Sequence, residues 1–154
     1  MPRGAESHTV RRVTLDTAIL VRANGKANGP AGEVMRRMRE QGTTLVLSEY
    51  ILGELERVLQ YPRLQKLYGL TADEVAGYVR AVRAVATVVW PATGPRVVPG
   101  DAADDAVVYT AVAGRADVLC SLDQHLFAVE VMAFCGRQGI RVMTDVELLV
   151  ALGG

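Results

Sequence analysis

Apolar residues along this chain fall into two rhythms. Short runs rich in aliphatic and β-branched residues recur at Val10–Leu15, Thr44–Leu47, Thr87–Trp90, Val118–Cys120 and Ile140–Met143. Their length and make-up predict strands. Between them, apolar positions are spaced three and four apart, the period of a helix with one buried face. Val34, Met35 and Met38 mark such a face within Ala31–Gln41, with Arg36, Arg37 and Arg39 opposite and Gly42 as terminator. Ile51, Leu52, Leu55, Val58 and Leu59 mark a second, opened by Ser48 as N-cap and ended by Pro62. A third starts at Thr71, where Thr71 and Glu74 have capping-box spacing, and runs to about Val85. Further helices are predicted over Asp101–Ala113, Gln124–Gln138 and Asp145–Leu152, and the turn-rich ATGPRVVPG after Pro91 is the longest loop.

Strand and helix thus alternate five times, with one extra helix after the second unit. Apolar strands alternating with amphipathic helices pair in parallel, because each crossover lays a helix over one face of the sheet. The predicted fold is α/β: three layers, α/β/α, around a central mostly parallel sheet of about five strands. A length of 154 residues suits one domain. The opening MPRGAESHTVRR is polar and lacks the apolar centre of a signal peptide. Residues 1–9 are read as a flexible segment and residues 10–154 as a single domain. No apolar run nears the roughly 20 residues of a membrane span, so a cytoplasmic protein without membrane contact is expected.

Composition narrows the chemistry. Half of the residues are apolar but only 5% are aromatic, so the core must be aliphatic. Seventeen basic residues balance seventeen acidic ones, which excludes a uniformly basic surface but leaves room for a local basic groove. Cys120 and Cys135 belong to no CxxC pair and read as buried thiols rather than ligands or a disulfide.

The acids are placed more tellingly than they are numbered. In open parallel sheets, ligands bind beyond the carboxyl ends of the strands. Asp16 directly follows the first strand, and Asp123 follows the fourth. Glu54 lies in the second turn of the helix after the second strand. Asp104 and Asp105 open the helix that leads into the fourth strand, and the long loop before them can return them to the same edge. Taken singly, Asp104, Asp105 and Asp123 suit helix N-termini, and Glu54 suits a solvated face. Asp16 has no such ordinary role, because it breaks an apolar run at a strand's end. Two carboxylates about 5 Å apart repel by roughly 3 kcal/mol at an effective dielectric of about 20, so several in one cleft call for a cation. Oxygen donors without companion His or Cys favour Mg²⁺ or Mn²⁺. Such an ion suits phosphodiester hydrolysis.

Four blocks of the chain resemble those of PIN-domain ribonucleases. LDTAILVRA (Leu15–Ala23) resembles the opening block, and LSEYILGELERVL (Leu47–Leu59) the second. DDAVVYTAVAGRADVLCSLDQHLF (Asp104–Phe127) resembles the third and fourth, and IRVMTDVELLV (Ile140–Val150) the closing strand and helix. QYPRLQKLYGLT (Gln60–Thr71) resembles the VapC-like subgroup, the toxin components of toxin–antitoxin pairs. The resemblance implies that Asp16, Glu54, Asp105 and Asp123 are the catalytic, metal-binding acids. Asp105 is preferred to Asp104 because Ala106–Ala111 then falls in the family's register. Thr17 and Ser121 match positions near the family's site, leaving Asp104, Thr17, Ser121 and His125 as secondary candidates. Three positions depart from the pattern. Ala18 stands where Asn is frequent, Leu122 where a small residue is common, and His125 where many members carry an acid.

The function expected from this resemblance is Mg²⁺- or Mn²⁺-dependent endoribonuclease activity, as the toxin of a toxin–antitoxin pair. RNA is the expected substrate, an antitoxin protein and a second copy of the chain the further partners. Arg22 and Lys26 are the first candidates for RNA phosphate contacts, with Arg63 and Lys66 behind them. The alternative is a catalytically weak or inactive PIN-fold module that binds RNA or a protein partner, to which Ala18 and His125 point. An aspartyl-phosphate enzyme would need a second Asp where Ala18 stands, and a dinucleotide-binding enzyme a GxGxxG that ANGKANG (Ala23–Gly29) does not supply.

Overall fold

The structure is a computed structural model and describes residues 9–92, 94–99 and 102–153. In chain order it runs β1 (Arg12–Leu15), α1 (Thr17–Arg22), α2 (Pro30–Gln41), β2 (Thr44–Ser48), α3 (Glu49–Leu59), α4 (Pro62–Tyr68) and α5 (Ala72–Val85). It continues through β3 (Thr87–Val89), α6 (Ala102–Ala113), β4 (Val118–Cys120), a 3-10 turn (Gln124–Phe127), α7 (Val129–Arg137), β5 (Arg141–Met143) and α8 (Asp145–Ala151). The strands form one sheet in the order β3-β2-β1-β4-β5. Every adjacent pair is parallel, and helices flank the sheet, as the alternating pattern predicts. Val13, Leu15, Val46, Leu47, Leu119 and Cys120 are fully buried, so the three inner strands β2, β1 and β4 are covered on both faces. Cys120 and Cys135 are free and buried. No helix among the described residues is long and apolar enough to cross a membrane. The segment read as flexible, apart from Thr9, lies outside the described residues, as does Asp101.

Three elements differ from the pattern-based reading. Asp16 does not merely stop β1: its side chain accepts from the Thr17 N–H and caps α1, a helix the reading lacks. Six residues give too few turns for a 3.6-residue period to show. Pro62 does not merely end α3, because it also starts α4 at its first position, where the missing N–H costs nothing. The helix predicted over Gln124–Gln138 is broken. Ala128 is extended (φ −62°, ψ 147°), separating the 3-10 turn capped by Asp123 from α7. The predicted caps at Ser48 and Gly42 and the Thr71–Glu74 box all form. A second box, Thr144 with Glu147, opens α8.

Two contacts lock α6 onto the sheet. Thr110 Oγ1 donates to Ser48 Oγ at the end of β2 (2.8 Å) in a buried site. Gly114, just past α6, lies against Val46 so closely that a Cβ there would be 2.0 Å from Val46 Cγ1. The Arg12 side chain donates to the Gly114 carbonyl (2.7 Å), fixing the same turn from β1. Between two helices, Tyr78 of α5 donates its hydroxyl to the Leu20 carbonyl of α1 (2.6 Å).

Candidate metal centre

The chain steps from β1 outward through β2 to β3, then returns to lay β4 and β5 on the other side of β1. The order reverses between β1 and β4, and the crevice beyond the carboxyl ends of two such strands is where open α/β sheets bind ligands. Backbone pairing extends one residue past both strands: Asp16 N–H donates to the Cys120 carbonyl (2.9 Å), and Ser121 N–H to the Met143 carbonyl (2.9 Å). Asp16 and Ser121 are thereby held side by side at the mouth of the crevice.

Side chains build on that frame. Ser121 Oγ donates to Asp16 Oδ2 (2.7 Å) and accepts from the Asp123 N–H (3.0 Å). Thr17 N–H donates to Asp16 Oδ1 (2.7 Å), and Thr17 Oγ1 donates to Glu54 Oε1 (2.6 Å), tying α1 to α3. Asp16, Glu54, Asp104 and Asp123 all line one cleft of about 640 Å³. Among the described residues, Asp104, Asp123 and His125 form the tighter group, each offering one donor atom, all within 4.8 Å of one another. His125 Nδ1 lies 3.3 Å from Asp123 Oδ1 and 3.8 Å from Asp104 Oδ2.

The preference for Asp105 over Asp104 is not matched by this geometry. Asp105 Oδ1 accepts from the Val97 and Val98 N–H groups (2.9 and 2.7 Å), and Oδ2 pairs with Arg96 Nε (2.9 Å). It braces the loop before α6, while its neighbour Asp104 enters the cleft. Adjacent helical residues point about 100° apart, so one of the two must turn away. Of the predicted basic residues, Arg22 lines the acid cleft and Arg63 of α4 lines its wall. Lys26 lies in an adjoining hollow, where it pairs with Glu74 (3.3 Å), and Lys66 is exposed outside the cleft. A second helix that the sequence pattern did not show, α4, brings Leu64, Leu67 and Tyr68 to the cleft. Its only local signal was Pro62 itself, readable as a first-turn proline.

The profile of a family of PIN domains (PIN_3) matches residues 12–125. This chain is a PIN domain. The match takes in β1 through β4 and the acids Asp16, Glu54, Asp104, Asp105 and Asp123. No curated protein and no solved structure matches the chain significantly. PIN domains are generally nucleases, and the acid cluster of this one has the donor chemistry to hold a divalent metal ion.

Electrostatics supports that capacity. Burial pushes the pKa of Asp16 above its ordinary value of 3.8. The bonds from Ser121 and Thr17 pull it down, and the charges of Glu54 and Asp123 push it up. A PIN domain with these acids ionised carries repulsion that a cation would offset. The oxygen donors of Asp104 and Asp123 suit a hard ion, so the residues fit the metal that PIN domains typically use.

Proposed function

We propose that this PIN domain is a Mg²⁺- or Mn²⁺-dependent endoribonuclease and acts as the toxin of a toxin–antitoxin pair. The observation that carries the nuclease reading is the convergence of Asp16, Glu54, Asp104 and Asp123 on one cleft at the β1–β4 switch point. Asp104 replaces Asp105 in the catalytic set, because Asp105 is committed to the Val97–Val98 backbone. When bound, the ion supplies charge to the phosphoryl oxygen and lowers the pKa of water. Asp104, Asp123 and Asp16 would hold it. The Ser121 bond favours the ionised form of Asp16 and orients it, and Thr17 orients Glu54. Arg22 and Arg63, on the cleft's lining, take the RNA phosphates without reading sequence. Lys26 extends that path along the adjoining hollow.

The toxin assignment rests on the resemblance of Gln60–Thr71, which here forms α4 and its flanks along the cleft. A protein antitoxin would block RNA most directly by covering this wall, and the chain is expected to pair with a second copy. The test is labelled RNA incubated with Mg²⁺ or Mn²⁺. Cleavage that EDTA abolishes and Asp16→Asn loses supports the reading. RNA or protein binding without cleavage under the same conditions supports the alternative, a catalytically weak or inactive binding module. Ala18, exposed in the cleft with no polar group, is the observation that favours that second reading.

A further inference from the structure

A nitrogen donor, His125, stands beside two acids of the cleft, Asp104 and Asp123. His125 is placed by its own backbone: its N–H donates to Asp123 Oδ1 (2.9 Å), the bond that caps the 3-10 turn. That bond turns the ring back over the same carboxylate, leaving Nδ1 3.3 Å from Asp123 Oδ1. The next residue, Leu126, is fully buried and pins the turn, so the ring is positioned even though the side chain is 67% exposed. Asp104 arrives from another element, the start of α6, with Oδ2 3.8 Å from the same nitrogen. Two donors at right angles about 2.1 Å from one ion lie roughly 3 Å apart. The observed spacings therefore need only small side-chain rotations to close on a cation.

Resting on the reading that this cleft holds a divalent ion, we propose that His125 Nδ1 is a ligand to it beside Asp104 and Asp123, and that it biases the site toward Mn²⁺ over Mg²⁺. Mg²⁺ takes oxygen donors and keeps its waters, whereas transition-metal ions accept imidazole nitrogen. A carboxylate at position 125 would add charge and suit Mg²⁺. An imidazole adds no charge when neutral and favours the softer ion. A histidine that served only as a surface ion-pair partner would leave the choice of metal untouched.

The experiment measures Mn²⁺ and Mg²⁺ binding to the full chain by titration calorimetry and records the pulsed EPR spectrum of bound Mn²⁺ with ¹⁵N-labelled histidine. In the unaltered chain, nitrogen modulation from a coordinated imidazole is expected, and His125→Ala removes it. Losing a direct ligand should cost at least the roughly 10–100-fold in Mn²⁺ affinity that loss of an outer partner costs, with Mg²⁺ affinity nearly unchanged. His125→Asp should narrow the Mn²⁺/Mg²⁺ ratio by strengthening Mg²⁺. If Mn²⁺ binds and Asp123→Asn removes it, but no nitrogen modulation appears and His125→Ala leaves the ratio unchanged, the role of His125 is overturned and the metal reading stands. If Mn²⁺ does not bind, or Asp123→Asn leaves its binding intact, both are overturned.

Discussion

Asp16 keeps only 8% of its surface exposed, and its carboxylate is served by Ser121 Oγ and the Thr17 N–H. Burial outweighs those bonds and raises its pKa above the ordinary 3.8. The unfolded chain therefore loses this proton first as pH rises. The group's contribution to stability is complete below 3.8 and is lost as pH climbs through the folded value. At pH 7 without metal, the buried Asp16 carboxyl thus opposes folding. Asp16→Asn should raise the melting temperature in EDTA at pH 7, with the difference shrinking in acid, and should weaken the metal response. Unchanged melting at pH 7 would refute the burial argument. The neighbouring pair offers a second contrast. Asp104→Asn should remove metal-dependent cleavage while leaving the fold intact. Asp105→Ala should cost roughly 2 kcal/mol, since a half-buried carboxylate acceptor of two backbone N–H groups is lost, and should spare the specific activity of folded protein. Melting curves and cleavage assays on both variants decide whether the roles divide this way.

At the scale of elements, the site depends on how α6 docks. The helix start carries Asp104, and the helix end is clamped where Gly114 meets Val46. Val46 is fully buried and has no room to retreat. Gly114→Ala should therefore destabilise the protein by about 1–3 kcal/mol through overpacking. Adding Val46→Ala should recover part of the loss, which thermal denaturation of both variants can measure. The strands and long helices were legible because burial leaves a period in the sequence that spans several turns. Short helices were not. α1 and α4 have six and seven residues and owe their existence to packing, with Ile19, Leu20 and Leu64 buried against the rest. The break at Ala128 escaped notice because Ala is compatible with a helix and only the Asp123 cap and the buried Leu126 set the chain's direction there.

At the scale of the whole molecule, the five-stranded parallel order brings Asp16 and Asp123, more than a hundred residues apart in the chain, to one crevice. A cation that binds there and not to the unfolded chain should raise stability by about 2.7 kcal/mol at a hundred times its dissociation constant. Mn²⁺ should accordingly raise the melting temperature and EDTA reverse it; no shift at saturating Mn²⁺ would speak against a metal centre. The amino-acid sequence alone determined the layers, the parallel sheet and most caps and offered the acids as candidates, because burial period, capping chemistry and strand-end position are local properties. Only the tertiary structure turned Asp104 into the cleft and Asp105 to the loop, aligned Glu54 through Thr17 and brought His125 beside the carboxylates. Those choices depend on a helix's rotation and a loop's free N–H groups, which distant elements set and no local pattern records.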